Sequence, residues 1–283
     1  MSDNQRTPVA SVGIIHRERS DEATALARAL EERIRATGRQ VWSAERDEDS
    51  AISDRLPGTS VALVLGGDGT ILSVARLVAP LNIPILGINF GRVGFLTELE
   101  PAEVEEKLPL YLAGDYWVDE RSMLQAEVGD NGRHHRFIAL NDIVVVRGAE
   151  PRVIRIKVWI DGHQYNTTVA DGIIVSTATG STAYNLAAGG PILHPQVRSC
   201  LITPIAPHLA ADRSLILEPH AAITLELEGD STAVLSADGQ VNRDLGAGAQ
   251  VVIRGNAHVT KFLRRRPPTY FYRILSAKLR DNL

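Results

Sequence analysis

Ser60-Val61-Ala62-Leu63-Val64-Leu65-Gly66-Gly67-Asp68-Gly69-Thr70 is the stretch on which the reading of the fold turns. Its first six residues are apolar or β-branched and of strand length. Residues 71–78, Ile71-Leu72-Ser73-Val74-Ala75-Arg76-Leu77-Val78, place apolar groups at helical spacing. A buried strand, a tight glycine turn and a helix start follow. Such a junction suits an anion. The glycines let backbone approach a phosphate, and the N-terminus of a helix supplies N–H donors and partial positive charge. Asp68 is the anomaly, because a carboxylate repels a phosphate sharing its site. Chemistry needing a base or a metal ligand beside a phosphate explains it; the alternative is that Asp68 or Thr70 caps the helix.

Upstream, residues 9–15 read as a first strand. Residues 21–37 have helical periodicity (Leu26, Leu30, Ile34) and stop at Gly38, and 40–42 are a short second strand. The charged segment 46–57 reads as a mobile loop. Downstream, 84–88 are another apolar strand and 101–114 a helix. Strands alternating with helices imply an α/β layer with a parallel sheet. The glycine turn then lies at the carboxyl end of a strand, where open α/β sheets bind ligands.

The texture changes near residue 118. Short β-branched or alternating runs follow at 123–128, 143–146, 154–160, 172–176, 222–227, 233–235 and 250–253. Turn pairs such as Asn131-Gly132, Asp161-Gly162 and Asp238-Gly239 punctuate them. That spacing predicts a β-rich, sandwich-like second domain over 119–267. Residues 268–283 read as a helix that returns to the first domain, 1–118.

Composition bounds the function. The 283 residues predict about two domains. A 44% apolar share allows a proper core, and a net charge of −4 argues against nucleic acid as partner. The single cysteine, Cys200, forbids an intrachain disulfide and a multi-cysteine zinc site, and reads as a small buried hydrophobe. Residues 1–8 are polar and no run reaches the ~18 apolar residues of a membrane span, so a cytoplasmic location without membrane contact is expected.

Other stretches carry chemistry. Residues 171–191, from Asp171-Gly172 through Thr179-Gly180-Ser181-Thr182-Ala183-Tyr184-Asn185-Leu186-Ala187 to Gly190-Pro191, run from a strand into hydroxylated residues, a tyrosine and a glycine pair. Hydroxyls and amides there offer hydrogen bonds to a nucleobase and Tyr184 a stacking face; a capping turn is the alternative. Asn141-Asp142 opens a strand and suits ribose hydroxyls, or is a turn. Glycines flanking Arg92 in residues 90–96 suit a loop near phosphates, or a turn. The basic run 261–266 reads as a solvated face, or as a partner for nucleotide phosphates at a subunit contact. A P-loop, GxGxxG, HExxH and the kinase HRD…DFG set are all absent, and the histidines show no metal spacing.

Together these stretches resemble the NAD kinase family. Residues 66–70 (GGDGT) after a core strand, Asn141-Asp142 opening a later strand, and 179–191 (TGSTAYNLAAGGP) occur in the family's order. Residues 90–96, Asp238-Gly239-Gln240 and 271–279 also fit. The resemblance covers nearly the whole chain. It implies transfer of the γ-phosphoryl of ATP to the 2′-hydroxyl on the adenosine ribose of NAD, with Mg²⁺ or another divalent cation. NAD is then bound between the two domains, in a homodimer or homotetramer whose β domains pair around the site.

By that resemblance Asp68 is the base that accepts the hydroxyl proton, and Gly66, Gly67, Gly69 and Thr70 meet the ATP phosphates. NAD contacts carry over to Asp68, Gly69, Asn141, Asp142, Arg152, Asp171, Thr182, Ala183, Tyr184, Asn185, Leu186, Ala187 and Gln240. No protein metal site is implied. Asn185 stands where serine is common in the family, and Asp142 where glutamate is common. A lipid kinase sharing GGDGT is the nearer alternative, although it has no use for the 179–191 segment. A dinucleotide sensor without turnover is the other, and it has no use for Asp68.

Overall fold

The computed structural model of the chain describes residues 9–91, 94–130, 133–149, 152–208 and 213–281. The polar segment 1–8, the Arg92-Val93 pair and the Asn131-Gly132 turn lie outside the described residues. The chain divides into two compact units: one takes residues up to Glu120 and resumes at Thr260, and the other is Arg121–Val259.

In the first unit β1 (Ser11–His16), β2 (Gln40–Glu45), β3 (Val61–Leu65) and β4 (Ile85–Ile88) form parallel pairs in the order β2-β1-β3-β4. Helices α1 (Asp21–Ala36), α2 (Asp49–Arg55), α3 (Asp68–Val78) and α4 (Pro101–Leu112) fill the connections. Ser20 caps α1 by accepting the N–H of Ala23, and Gly38, at φ +79°, lets the chain leave it. Every residue of β3 is buried, as expected of a central parallel strand. Leu63, Leu65, Leu86 and Ile88 pack with Leu30 and Ile34 of α1 and with Val104 and Leu108 of α4. On the opposite face Gly87 lies against Ile71 of α3, where a side chain at 87 would overlap. The strand order reverses between β1 and β3, so the glycine turn after β3 sits at a topological switch point.

Two expectations need correction here. Residues 46–57 are not a loop throughout, since α2 occupies Asp49–Arg55, held by the buried Ile52. Seven residues, mostly polar, are too short to register as a helical period. The basic run 261–266 is not a solvated face throughout, since only Arg265 in it is exposed. Arg264 is 6% exposed and paired with Glu98 (3.4 Å) and Asp119 (3.5 Å), while Arg265 pairs with Asp115 and Arg266 with Glu103. Glu98 also accepts the backbone N–H groups of Arg265 and Arg266. The chain therefore rejoins the first unit at Thr260, before 268.

The second unit carries β5 (Trp117–Asp130), which begins in the first unit and pairs antiparallel with β6 (Arg133–Ala139). Its other strands are β7 (Asp142–Arg147), β8 (Ile154–Ile160), β9 (His163–Ala170), β10 (Gly172–Thr177), β11 (Cys200–Ile205), β12 (Leu215–Leu217), β13 (Ile223–Leu227), β14 (Ala233–Ala237), β15 (Val241–Leu245) and the start of β16 (Gln250–Arg264). A short α5 (Tyr184–Ala187) follows a 3-10 turn at Gly180–Thr182. One sheet runs β12-β11-β10-β7-β14-β15, all antiparallel; in another layer β16, β13, β8 and β9 pair antiparallel. Ile143, Val145, Val175 and Leu235 of the first meet Ile156, Leu225 and Val251 of the second in one core. Asp161-Gly162 and Asp238-Gly239 take positive φ at both residues; the first is the two-residue hairpin turn between the paired Ile160 and His163, and the second a turn closed by the Gln240 N–H donating to the Ala237 carbonyl. Cys200 is buried against this core. α6 (Tyr270–Asp281) belongs to the first unit.

Candidate active site

In the first unit α3 starts directly after the glycines. Its N-cap is Gly67, and no side chain caps it. The capping alternative for Asp68 and Thr70 is thereby excluded. Asp68 instead turns its carboxylate to residues 94–96, accepting the backbone N–H of Phe95 at Oδ2 (2.9 Å) and of Leu96 at Oδ1 (3.1 Å). Gly94 lies so close that any Cβ there would overlap Asp68 Oδ1. Phe95 is covered in turn by α6, with the Phe271 ring 5.9 Å away and the Lys278 ammonium 5.5 Å from its centroid.

The turn's own glycines divide into two kinds. A Cβ on Gly66 would overlap Thr70, so internal packing requires glycine there. A Cβ on Gly67 or Gly69 would meet nothing within 4 Å. Packing against the described residues therefore does not require glycine at these two positions.

In the second unit Asn141 and Asp142 open β7. On this strand Asp142, Val144 and Val146 share the face away from the core, by the two-residue period. They line a cavity of about 590 Å³ together with Asn141, Ala183, Tyr184, Val234, Ser236, Asp238, Gly239 and Asn242. Tyr184 is 43% exposed and offers its ring. Asp238, at φ +53°, accepts three successive backbone N–H groups: Leu140 (2.9 Å), Asn141 (2.7 Å) and Asp142 (3.2 Å). Burial and the neighbouring Asp238 carboxylate push the Asp142 carboxyl up to about 7. Close to neutral pH Asp142 is thus able to donate a hydrogen bond as well as accept one.

The hydroxylated segment is held mostly by itself. Thr177 Oγ1 donates to the Leu140 carbonyl and accepts the Gly180 N–H. Ser181 donates to Ala178 and accepts from Leu193. Asn185 is fully buried: its Nδ2 donates to the Ser181 and Pro191 carbonyls, and its Oδ1 accepts from Thr203. The geometry gives Asn185 a scaffold role, with no side-chain group left for a ligand. Thr182 Oγ1 donates to the Thr179 carbonyl. Leu186, Ala187 and Gln240 flank the cavity-lining residues in sequence without lining the cavity themselves.

Arg152 and Asp171 lie elsewhere in this unit. Asp171 accepts from Arg147 Nε (2.9 Å), and Arg147 and Arg152 line a separate cavity of about 240 Å³ with Asp230 and Thr232. Arg147 follows Val146 and so faces the other side of β7. Within the second unit, the carried-over residues at these cavities therefore form two groups, not one. Sequence reading missed Ser236, Asn242 and the Asp238 carboxylate. Asp238-Gly239 advertises a hairpin turn, which masks what the aspartate side chain holds; Ser236 and Asn242 carry no signal beyond alternation along β14 and β15.

These features describe a nucleotide-handling protein of two units: an uncapped helix start behind a glycine turn in one, and in the other a cavity ringed by a carboxamide, carboxylates and an aromatic face. Residues 53–116 match the ATP-NAD kinase N-terminal domain, and residues 140–265 the ATP-NAD kinase C-terminal domain. The chain is 41% identical over 273 residues to the NAD kinase of Dehalococcoides mccartyi (strain CBDB1), covering 96% of each chain. It is 38% identical over 274 residues to the NAD kinase of Chloroflexus aggregans, covering 95% and 98%. The crystal structure of an NAD kinase from Archaeoglobus fulgidus in complex with ATP superposes with TM-score 0.76 at 25% identity, covering 95% of this chain and 98% of that one. Yeast NADH kinase complexed with NADH shares the fold, with TM-score 0.81 at 24% identity over 96% of this chain and 87% of that one. The chain belongs to the NAD kinase family.

Two outcomes are expected from this geometry. Gly69→Ala fills open space in a helical turn, so thermal unfolding should shift upward, by at most about 1 kcal/mol, while nucleotide-dependent turnover falls. The Asp142 carboxyl is raised in the folded state, so the native protein holds a proton that the unfolded chain releases near pH 3.8. Stability is therefore lost as pH rises through the window from about 4 to about 7. Asp142→Asn should remove that loss, and urea unfolding at pH 8 against pH 4 should show a flatter dependence than the wild-type chain.

Proposed function

We infer that the chain is an NAD kinase that phosphorylates the 2′-hydroxyl of the adenosine ribose of NAD with ATP. The observation that carries this reading is the orientation of Asp68, which leaves the start of α3 uncapped and is itself fixed by the Phe95 and Leu96 N–H groups. The helix start and the open backbone of Gly67 and Gly69 meet the triphosphate. Asp68, whose oxygens each keep a further lone pair, accepts the ribose proton as the hydroxyl oxygen attacks the γ-phosphorus in line. The new P–O bond forms, the bond to the ADP oxygen breaks, and NADP, ADP and a proton result.

Asn141 and Asp142 hold ribose or base groups of NAD, and Tyr184 offers its face to a ring. Among the described residues no group of three or more His, Cys, Asp or Glu clusters as a metal site. A divalent cation suits this site as an ion carried by the triphosphate, with Asp68 as the carboxylate of the turn, and it would neutralise phosphate charge. Among the described residues no helix is long and apolar enough to cross a membrane. A free, buried Cys200 is consistent with a reducing, cytoplasmic setting.

The reading also includes a homo-oligomer. Asn141, Asp142 and Tyr184 line one cavity while Arg152 belongs to another, beside the Arg147–Asp171 pair. If one NAD molecule touches both groups, two copies of the chain supply them.

Purified protein with NAD, ATP and Mg²⁺ is expected to form NADP, and Asp68→Asn to lower turnover by about 10²–10⁴-fold while NAD affinity changes little. Near-normal turnover in the variant would remove Asp68 from the base role, and no NADP from the wild-type chain would overturn the activity. Asn141→Ala and Asp171→Ala should each be inactive alone yet recover up to about a quarter of wild-type activity when the two chains are co-assembled; absence of recovery argues that each copy works alone.

A further inference from the structure

Another cavity of the second unit, about 440 Å³, takes no part in the chemistry above. That volume is within the range of small-molecule sites. Arg198, Arg254 and His220 stand around it with Ser199, Thr177 and Asn256, and none of the described residues lining it is Asp or Glu. Two guanidinium groups and an imidazole thus converge on a wall to which no described Asp or Glu contributes.

Asn256 adds a directed donor. Its Oδ1 accepts the His258 N–H (2.7 Å), which fixes the orientation of the amide. Its Nδ2 is buried and meets no acceptor among the described residues. A buried donor left unmatched is costly, and an acceptor brought by a ligand relieves the cost. Cys200 also lines this cavity, and burial pushes its thiol up to about 11, so it remains neutral at physiological pH and adds no negative charge.

We propose that this cavity binds a small oxyanion carrying two or more negative charges. Planar guanidinium forks pair with carboxylate or phosphate oxygens two at a time, and the Asn256 amide supplies a further hydrogen bond. The cavity is also joined to the dinucleotide segments. Thr177, opposite Cys200 in the β10–β11 register, bonds both the Leu140 carbonyl and the Gly180 N–H.

Calorimetric titration of citrate and, separately, of inorganic tripolyphosphate into the full chain, with saturating NAD and a non-hydrolysable ATP analogue present to fill the triphosphate site at α3, tests this. At least one anion is expected to bind. The paired substitution Arg198→Ala with Arg254→Ala should weaken binding by about tenfold or more and leave NADP formation without added anion unchanged. Citrate alone binding marks a polycarboxylate ligand, and tripolyphosphate alone a phosphorylated one. Asn256→Asp sets a negative charge at the donor position and should abolish binding, which serves as the test if the paired variant does not fold. Binding by neither anion to the wild-type chain overturns the proposal. So does binding that persists in folded Arg198→Ala/Arg254→Ala protein, or in Asn256→Asp.

Discussion

A carboxylate that accepts backbone N–H groups from a distant segment is the interaction on which the local geometry depends, and it recurs. Asp68 accepts from Phe95 and Leu96, Asp238 from Leu140, Asn141 and Asp142, and Glu98 from Arg265 and Arg266. In each case a non-repeating stretch has amide groups that no helix or ladder satisfies, and a charged acceptor from elsewhere in the same unit takes them. Such bonds are roughly twice as strong as neutral ones, and they fix backbone position as well as energy. The loop beside the glycine turn, the entry to β7 and the return of the chain through Arg264 are all set this way.

Glycines make these clamps possible by what they omit. Gly94 leaves room for Asp68, Gly180 lies against the Asn141 backbone, and Gly190 leaves room for the Asn185 amide. A side chain at any of the three would displace a group that positions the candidate site. Gly67 and Gly69 differ, since among the described residues no side chain or distant backbone lies within 4 Å of where a Cβ would stand. Glycines that serve packing and glycines that leave an approach open are indistinguishable in the sequence and separate only in three dimensions.

Most of the fold was legible because its signals are local. The apolar run before Gly66, the periodicity ending at Gly38 and the Asp-Gly hairpin pairs each imply their element without reference to the rest of the chain. What stayed hidden depends on long-range pairing. α2 is short and polar, and it exists because Ile52 finds a buried place. Arg264 reads as one of several surface cations until Glu98, far away in sequence, is placed beside it. In the candidate site Asn141, Asp142 and Tyr184 were reached through the family resemblance, since by residue type each also reads as part of a turn. The employment of Asn185 as internal scaffold, and of Asp238 as the holder of β7, was not legible, because an amide or carboxylate looks the same in sequence whether it faces a ligand or a backbone.

The return of the chain at Thr260 also bears on how the protein is made. Phe262 on β16 pairs with Ile85 on β4, and Arg264 reaches Glu98, so the first unit is closed by residues that follow the entire second unit. At a synthesis rate of about 5–20 residues per second, those closing residues emerge on the order of ten seconds after Glu120. During that interval the edge of β4 and the acceptor oxygens of Glu98 wait without their final partners, while the inserted β unit is being synthesised. The nascent chain thus finishes its middle before its beginning, and the last two dozen residues act as the latch.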